Sequence, residues 1–136
     1  VIAIDTNVLL RYLLEDDVVQ FAKASKLIEG SEAVLITDVV LVETIWTLKG
    51  AKYQLDKPEL VEVIRRLFQE PNLRFEDGQV TWLALDQYRK SNGVDFADAL
   101  IVNKAKSTAN RLGSVFKGSY TFDKAAQKLP GAKAPR

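Results

Sequence analysis

Apolar residues fall along this chain in short buried runs that alternate with longer stretches of helical period. Val1–Ile4 is an apolar run that stops at Asp5, the pattern of a buried parallel strand. Thr6 to about Leu14 reads as a short helix. A second helix, capped by Asp16 or Asp17, runs to about Glu29 and stops at Gly30. Ala33–Ile36 predicts a second strand, and Thr37 or Asp38 then caps a helix through Val39–Lys49 that ends near Gly50. Asp56-Lys57-Pro58 opens a helix to about Glu70, with proline in the first turn. Pro71-Asn72 breaks it, and Leu73–Phe75 is a third strand. Helices follow from Asp77-Gly78 to about Ser91 and from Asp95 to about Ala109. Ser119–Phe122 is a fourth strand that stops at Asp123, followed by a short helix to Lys128.

Strands alternating with helices imply right-handed crossovers and a short twisted parallel sheet flanked by helices, an α/β fold. Residues 1–129 fit one domain, and Pro130-Gly131 begins a polar tail over residues 130–136. No apolar run is long enough for a membrane span, and the opening run is too short for a signal peptide. A cytoplasmic protein is expected.

The side-chain inventory narrows the chemistry. The 136 residues include no cysteine and no histidine. Thiolate catalysis, disulfides, imidazole bases and histidine- or cysteine-ligated zinc are excluded. Carboxylates would have to carry any catalysis, and all-oxygen ligands favour Mg²⁺, with Mn²⁺ as a substitute. The net charge is only +1, but from Lys104 onward Asp123 is the one acid among eight basic residues. A basic third beside an acidic site suits a polyanionic substrate.

Four acids stand out by position. Asp5 and Asp123 sit just past apolar strands, where an open α/β sheet binds its ligand, although either also serves as a helix cap. Glu43 has Val39, Val40, Trp46 and Thr47 at helical spacing. It is expected to be a carboxylate in an apolar stripe that needs a cation, from a metal or a distant base. Asp98 lies among Val94, Ile101 and Val102 at the same spacing and shares a face with Asp95. Asp95 doubles as a first-turn acid. If these groups converge, their mutual repulsion calls for a divalent ion.

These segments resemble the PIN-domain family. Val1-Ile2-Ala3-Ile4-Asp5-Thr6-Asn7 is similar to its first strand and Asp-Thr-Asn motif. Ile36-Thr37-Asp38-Val39-Val40-Leu41-Val42-Glu43 is similar to the second motif, Asp95-Phe96-Ala97-Asp98 to the third and Thr121-Phe122-Asp123 to the fourth. All four occur in family order. The resemblance implies a PIN-like three-layer sandwich and a Mg²⁺- or Mn²⁺-dependent endoribonuclease. Single-domain members are usually VapC-like toxins of toxin–antitoxin pairs, held by a cognate antitoxin protein and commonly homodimeric. By the same resemblance Asp5, Glu43 and Asp98 form the acidic triad and Asp123 the fourth acid. Asp95 is a further carboxylate, and Thr6, Asn7 and Thr121 are supporting polar groups. Ser107–Lys117 is longer than the family's usual link into the last motif. Lys104, Arg111 and Lys124 are expected to contact flanking RNA phosphates.

Other classes fit less well. An aspartyl-phosphate phosphatase wants a second aspartate two residues after the first, where this chain has Asn7, and a receiver domain wants an acidic pair beside Asp5. The pattern also admits a PIN nuclease with a non-toxin RNA-processing role, and a binding module whose acids merely cap helices.

Overall fold

Three short runs, Ile-Ala, Val-Leu-Ile and Leu-Arg-Phe, build a parallel sheet in the computed structural model, which describes residues 1–136. They are β1 (Ile2–Ala3), β2 (Val34–Ile36) and β3 (Leu73–Phe75), paired in the order β1-β2-β3. Ile2 stands beside Val34, and Val34 beside Leu73. The helices are α1 (Thr6–Leu14), α2 (Val18–Ile28), α3 (Asp38–Lys49), α4 (Lys57–Gln69), α5 (Gly78–Lys90) and α6 (Phe96–Arg111). The α/β composition with a parallel sheet is as the patterning predicts. No helix is long and apolar enough to cross a membrane. The chain divides into two compact units, Val1–Asp77 and Gly78–Arg136.

In the first unit the helix starts are written in the sequence. Asp5 Oδ1 accepts from Val8 N–H at 3.0 Å, and Asp17 Oδ1 accepts from Gln20 N–H at 3.0 Å. These contacts fix the N-termini of α1 and α2. Of the two candidate caps for α3, Thr37 is the one used, and Asp38 lies in the first turn. At α4, Asp56 and Glu59 accept each other's backbone N–H at 3.0 Å, a capping box. Leu60, Val61, Ile64 and Leu67 then give that helix one buried stripe. They belong to a core with Leu9, Ile28, Val34, Ile36, Leu41 and Leu48, all nearly inaccessible to solvent.

In the second unit α5 and α6 pack together. Their contact holds Ala84, Leu85 and Tyr88 with Phe96, Ala99 and Leu100, all buried. Tyr88 and Phe96 meet edge to face, 6.0 Å between ring centres. The expected strand over Ser119–Phe122 is shorter, Ser119–Tyr120 (β4), and its partner is unexpected. It pairs in parallel with β5 (Ala132–Lys133) in a separate two-stranded sheet. Part of the expected polar tail is therefore a strand. Gly131, at φ +91°, turns the chain into it. A methyl group there would meet Phe116 Cε2 at 3.1 Å and Val102 Cγ1 at 3.3 Å, so both conformation and space require glycine.

Candidate active site

The carboxyl edge of the three-stranded sheet is acidic. Asp5 follows β1, Thr37-Asp38 follow β2 and Glu76-Asp77 follow β3. Glu76 N–H donates to Ile36 O at 3.1 Å, and Glu76 Oε1 accepts from Asp38 N–H at 3.0 Å, which clamps two neighbouring strand ends. Sequence reasoning passed over Glu76 and used Asp38 only as a cap. Their signal was akin to that of Asp5: Glu76 directly follows β3, and Asp38 follows β2 after Thr37.

Asp5 is exposed and spends one oxygen as the cap of α1, which leaves the second open to solvent. Thr6 is half-buried and Asn7 exposed in the first turn of α1. Glu43 corrects an expectation. It is exposed, and of the neighbours expected to surround it Val39 (67%) and Trp46 (68%) are exposed too, Thr47 is half-buried and Val40 alone is buried. The buried stripe of α3 is Val40, Leu41, Thr44, Ile45 and Leu48. Nothing forces a cation on Glu43 through burial, because it faces solvent together with Val39 and Trp46. Its carboxylate makes no hydrogen bond or ion pair.

In the second unit Asp95 and Asp98 are both half-buried at the N-terminus of α6, and Asp98 Oδ2 accepts from Asp95 N–H at 3.1 Å. Of Asp98's expected apolar neighbours, Val94 and Val102 are buried and Ile101 is 59% exposed. Asp123 is exposed and caps the next turn, its Oδ1 accepting from Ala126 N–H at 3.0 Å. Thr121 shapes that turn from both of its oxygens. Its Oγ1 accepts from Asp123 N–H at 3.1 Å, and its carbonyl accepts from Gln127 Nε2 at 2.9 Å. The turn lies against the segment that leads into α6, since a methyl group at Gly93 would stand 3.3 Å from Ala125 Cβ. Segments two residues from Asp95 and two residues from Asp123 are thus in contact.

Lys104 is half-buried on α6, and Arg111 and Lys124 are exposed. Arg111 is the last residue of α6, about 20 Å along the axis from Asp98 at 1.5 Å per residue. Asn103 is a polar residue the sequence reading did not single out. It is buried, with Nδ2 donating to Ala99 O at 2.7 Å and to Gln87 Oε1 at 2.8 Å. Its signal was its place on the stripe of Phe96, Ala99 and Leu100.

The chemistry of these donors fits a hard divalent ion: every candidate ligand is a carboxylate oxygen, and Asp5 and Glu43 keep oxygens free for it. In neither unit do three acidic side chains gather at a common point suited to a metal.

The profile of the PIN domain family matches residues 2–112. The chain therefore belongs to the PIN domain family, whose members are generally nucleases, and its six helices with a short parallel sheet agree with that fold. No curated protein and no solved structure gives a significant match.

Proposed function

We propose that this chain is a divalent-metal-dependent endoribonuclease that hydrolyses RNA phosphodiester bonds, and that it is the toxin of a toxin–antitoxin pair. The observation that carries the reading is the family match together with acids at all four motif positions, Asp5, Glu43, Asp98 and Asp123. Asp5, Glu43 and Asp98, with Asp95, would hold Mg²⁺ or Mn²⁺. A divalent ion in that set supplies Lewis-acid polarisation of the phosphate and a more acidic water. The protein's own part is to orient the nucleophilic water and accept its proton at a carboxylate, for which Asp98 and Asp123 are the candidates. Thr6, Asn7 and Thr121 keep the strand ends in shape. Lys104, Arg111 and Lys124 neutralise flanking phosphates. Because water attacks, the products carry 5′-phosphate and 3′-hydroxyl ends.

The exposed Val39 and Trp46 of α3 support a protein partner, a second copy of this chain or the antitoxin. The toxin role places the protein in the cytoplasm. The test is cleavage of a labelled RNA with Mg²⁺, with EDTA and with Asp5→Asn. Cleavage only by the wild type with metal is expected; cyclic-phosphate ends, or activity that survives Asp5→Asn, would reject the mechanism. Growth arrest on induction, relieved by the cognate antitoxin, tests the toxin role separately.

A further inference from the structure

Three helices of the first unit end in a glutamate at one pocket. Glu15 closes α1, Glu29 closes α2 and Glu70 closes α4. A helix ends in a partial negative charge, so a lysine or arginine is favoured there and a carboxylate is not. Glu15 carries a second cost, because it holds φ +52°, a left-handed conformation that suits glycine. All three residues line a pocket of about 280 Å³, together with Tyr12, Phe21 and Leu67.

The pocket is short of positive charge and of protons. Arg66 is the one base in its wall, and its Nε pairs with Glu62 at 3.6 Å. None of the three glutamates forms an ion pair, and Lys26, one turn before Glu29, does not reach it. The Tyr12 hydroxyl stands 2.8 Å from Glu70 Oε1 and 3.5 Å from Glu29 Oε1. A phenol has one proton to give, so Glu70 takes it and Glu29 is left facing an oxygen. Like charges gathered at negative helix ends repel one another until a cation enters. A metal ion does not answer this need. It wants its oxygens within about 2.6 Å, and these acids do not gather at such a point. The rest of the wall is apolar. The Tyr12 and Phe21 rings stack with 6.2 Å between centres and 20° between planes, and Leu67 is buried. Rings beside carboxylates suit an ammonium on a hydrocarbon stem.

We propose that this pocket binds an aliphatic polyamine, whose ammonium groups meet Glu15, Glu29 and Glu70 while its methylene chain lies against Tyr12 and Phe21. A polyamine spreads its charges along a chain, which matches acids that stand apart. Pockets for drug-sized ligands start at roughly 300 Å³, so the occupant is slender. The site is separate from the candidate active site. Asp5 starts α1 and Glu15 closes it, about 15 Å apart along the axis at 1.5 Å per residue. The inference does not depend on the nuclease reading.

The experiment is calorimetric titration of spermidine into the full chain, in metal-free buffer at fixed ionic strength and without RNA. The wild type should show one saturable site. Glu29→Gln and Glu70→Gln should each weaken binding about ten-fold, the loss of one charge-assisted hydrogen bond. Phe21→Leu should weaken it about three-fold through the lost ring. Glu32→Gln, which alters an acid of the same unit outside the pocket, should change nothing. Without ligand, the double variant Glu29→Gln/Glu70→Gln should melt at or above the wild type, because it removes unfavourable charge from helix ends. Spermidine should raise the melting temperature of the wild type and leave that of the double variant where it is. In a second titration, Mg²⁺ should displace spermidine no further than sodium chloride of the same ionic strength. The proposal is overturned if binding does not saturate, or if the glutamine variants bind as tightly as the wild type. Selective competition by Mg²⁺ overturns it too, since that marks a metal site. A double variant that melts well below the wild type counts against it, since the acids would then support the fold without a cation. Binding of a lysine-rich peptide through the same acids, with none of spermidine, rejects it in favour of a protein-docking surface.

Discussion

The phenol of Tyr12 donates to Glu70 Oε1 at 2.8 Å, which fastens the last turn of α1 to the residue that ends α4. Glu29 Oε1, at the end of α2, lies 3.5 Å from the same hydroxyl. Burial first, and then the hydrogen bond to Glu70, push the Tyr12 pKa above its ordinary 10.0. A raised pKa on an acid means that the folded state keeps a proton the unfolded chain releases. The stability this contributes is therefore complete below pH 10 and declines as pH rises from there through the folded-state value. Tyr12→Phe should cost about 1.5 kcal/mol at neutral pH and should flatten the loss of stability in alkaline denaturant melts. An unchanged alkaline slope would count against this assignment.

Asp5 has two tasks that substitution can separate. Asn keeps an oxygen for Val8 N–H and removes the charge, whereas Ala removes both. Asp5→Asn should melt close to wild type, and Asp5→Ala should lose about 1 kcal/mol. Both should lower metal-dependent RNA cleavage by at least about a hundred-fold.

Glu43 faces solvent without a partner, so Glu43→Gln should change stability by less than about 0.5 kcal/mol. Cleavage should nonetheless fall as far as with Asp5→Asn. Loss of folding in place of activity would show that Glu43 is a structural residue.

Gly93 holds φ +73° against Ala125. Gly93→Ala should destabilise the second unit by about 1 kcal/mol or more, because the left-handed backbone strains any side chain and the added methyl is crowded. Chemical denaturation reads the loss. Gly113 has the same sign of φ (+72°) but nothing within 4 Å, so Gly113→Ala should show the backbone part alone and cost less.

How much of this was legible in the sequence depends on the range of the force concerned. Caps, breakers and apolar runs act within a few residues, and they placed all six helices and the three strands of the main sheet to within one or two residues for most ends. Asp56-Lys57-Pro58 with Glu59 is the clearest case, since the capping box is complete within four residues. What failed was direction. Glu43 sits among apolar residues at helical spacing, but α3 is apolar on nearly every side, so period alone does not tell the buried face from the exposed one. The partner of β4 was hidden for a different reason. Two residues, Ala132 and Lys133, carry no period, and their pairing rests on a turn at Gly131 and on packing against Phe116 and Val102. The candidate acids were legible one by one, as was their local role as caps. The geometry that would join them to an ion depends on tertiary distances that no spacing rule encodes.

Strand β4 also has a consequence for the order in which the protein is made. Synthesis proceeds from the N-terminus, and domains gain structure as they emerge. Ser119 N–H and Thr121 N–H both bond to carbonyls beyond residue 130, on Gly131 and Lys133. The ribosome must therefore release those later residues before the ribbon bearing Tyr120 can close. A nascent chain paused short of them carries the first three motif acids and an unzipped fourth.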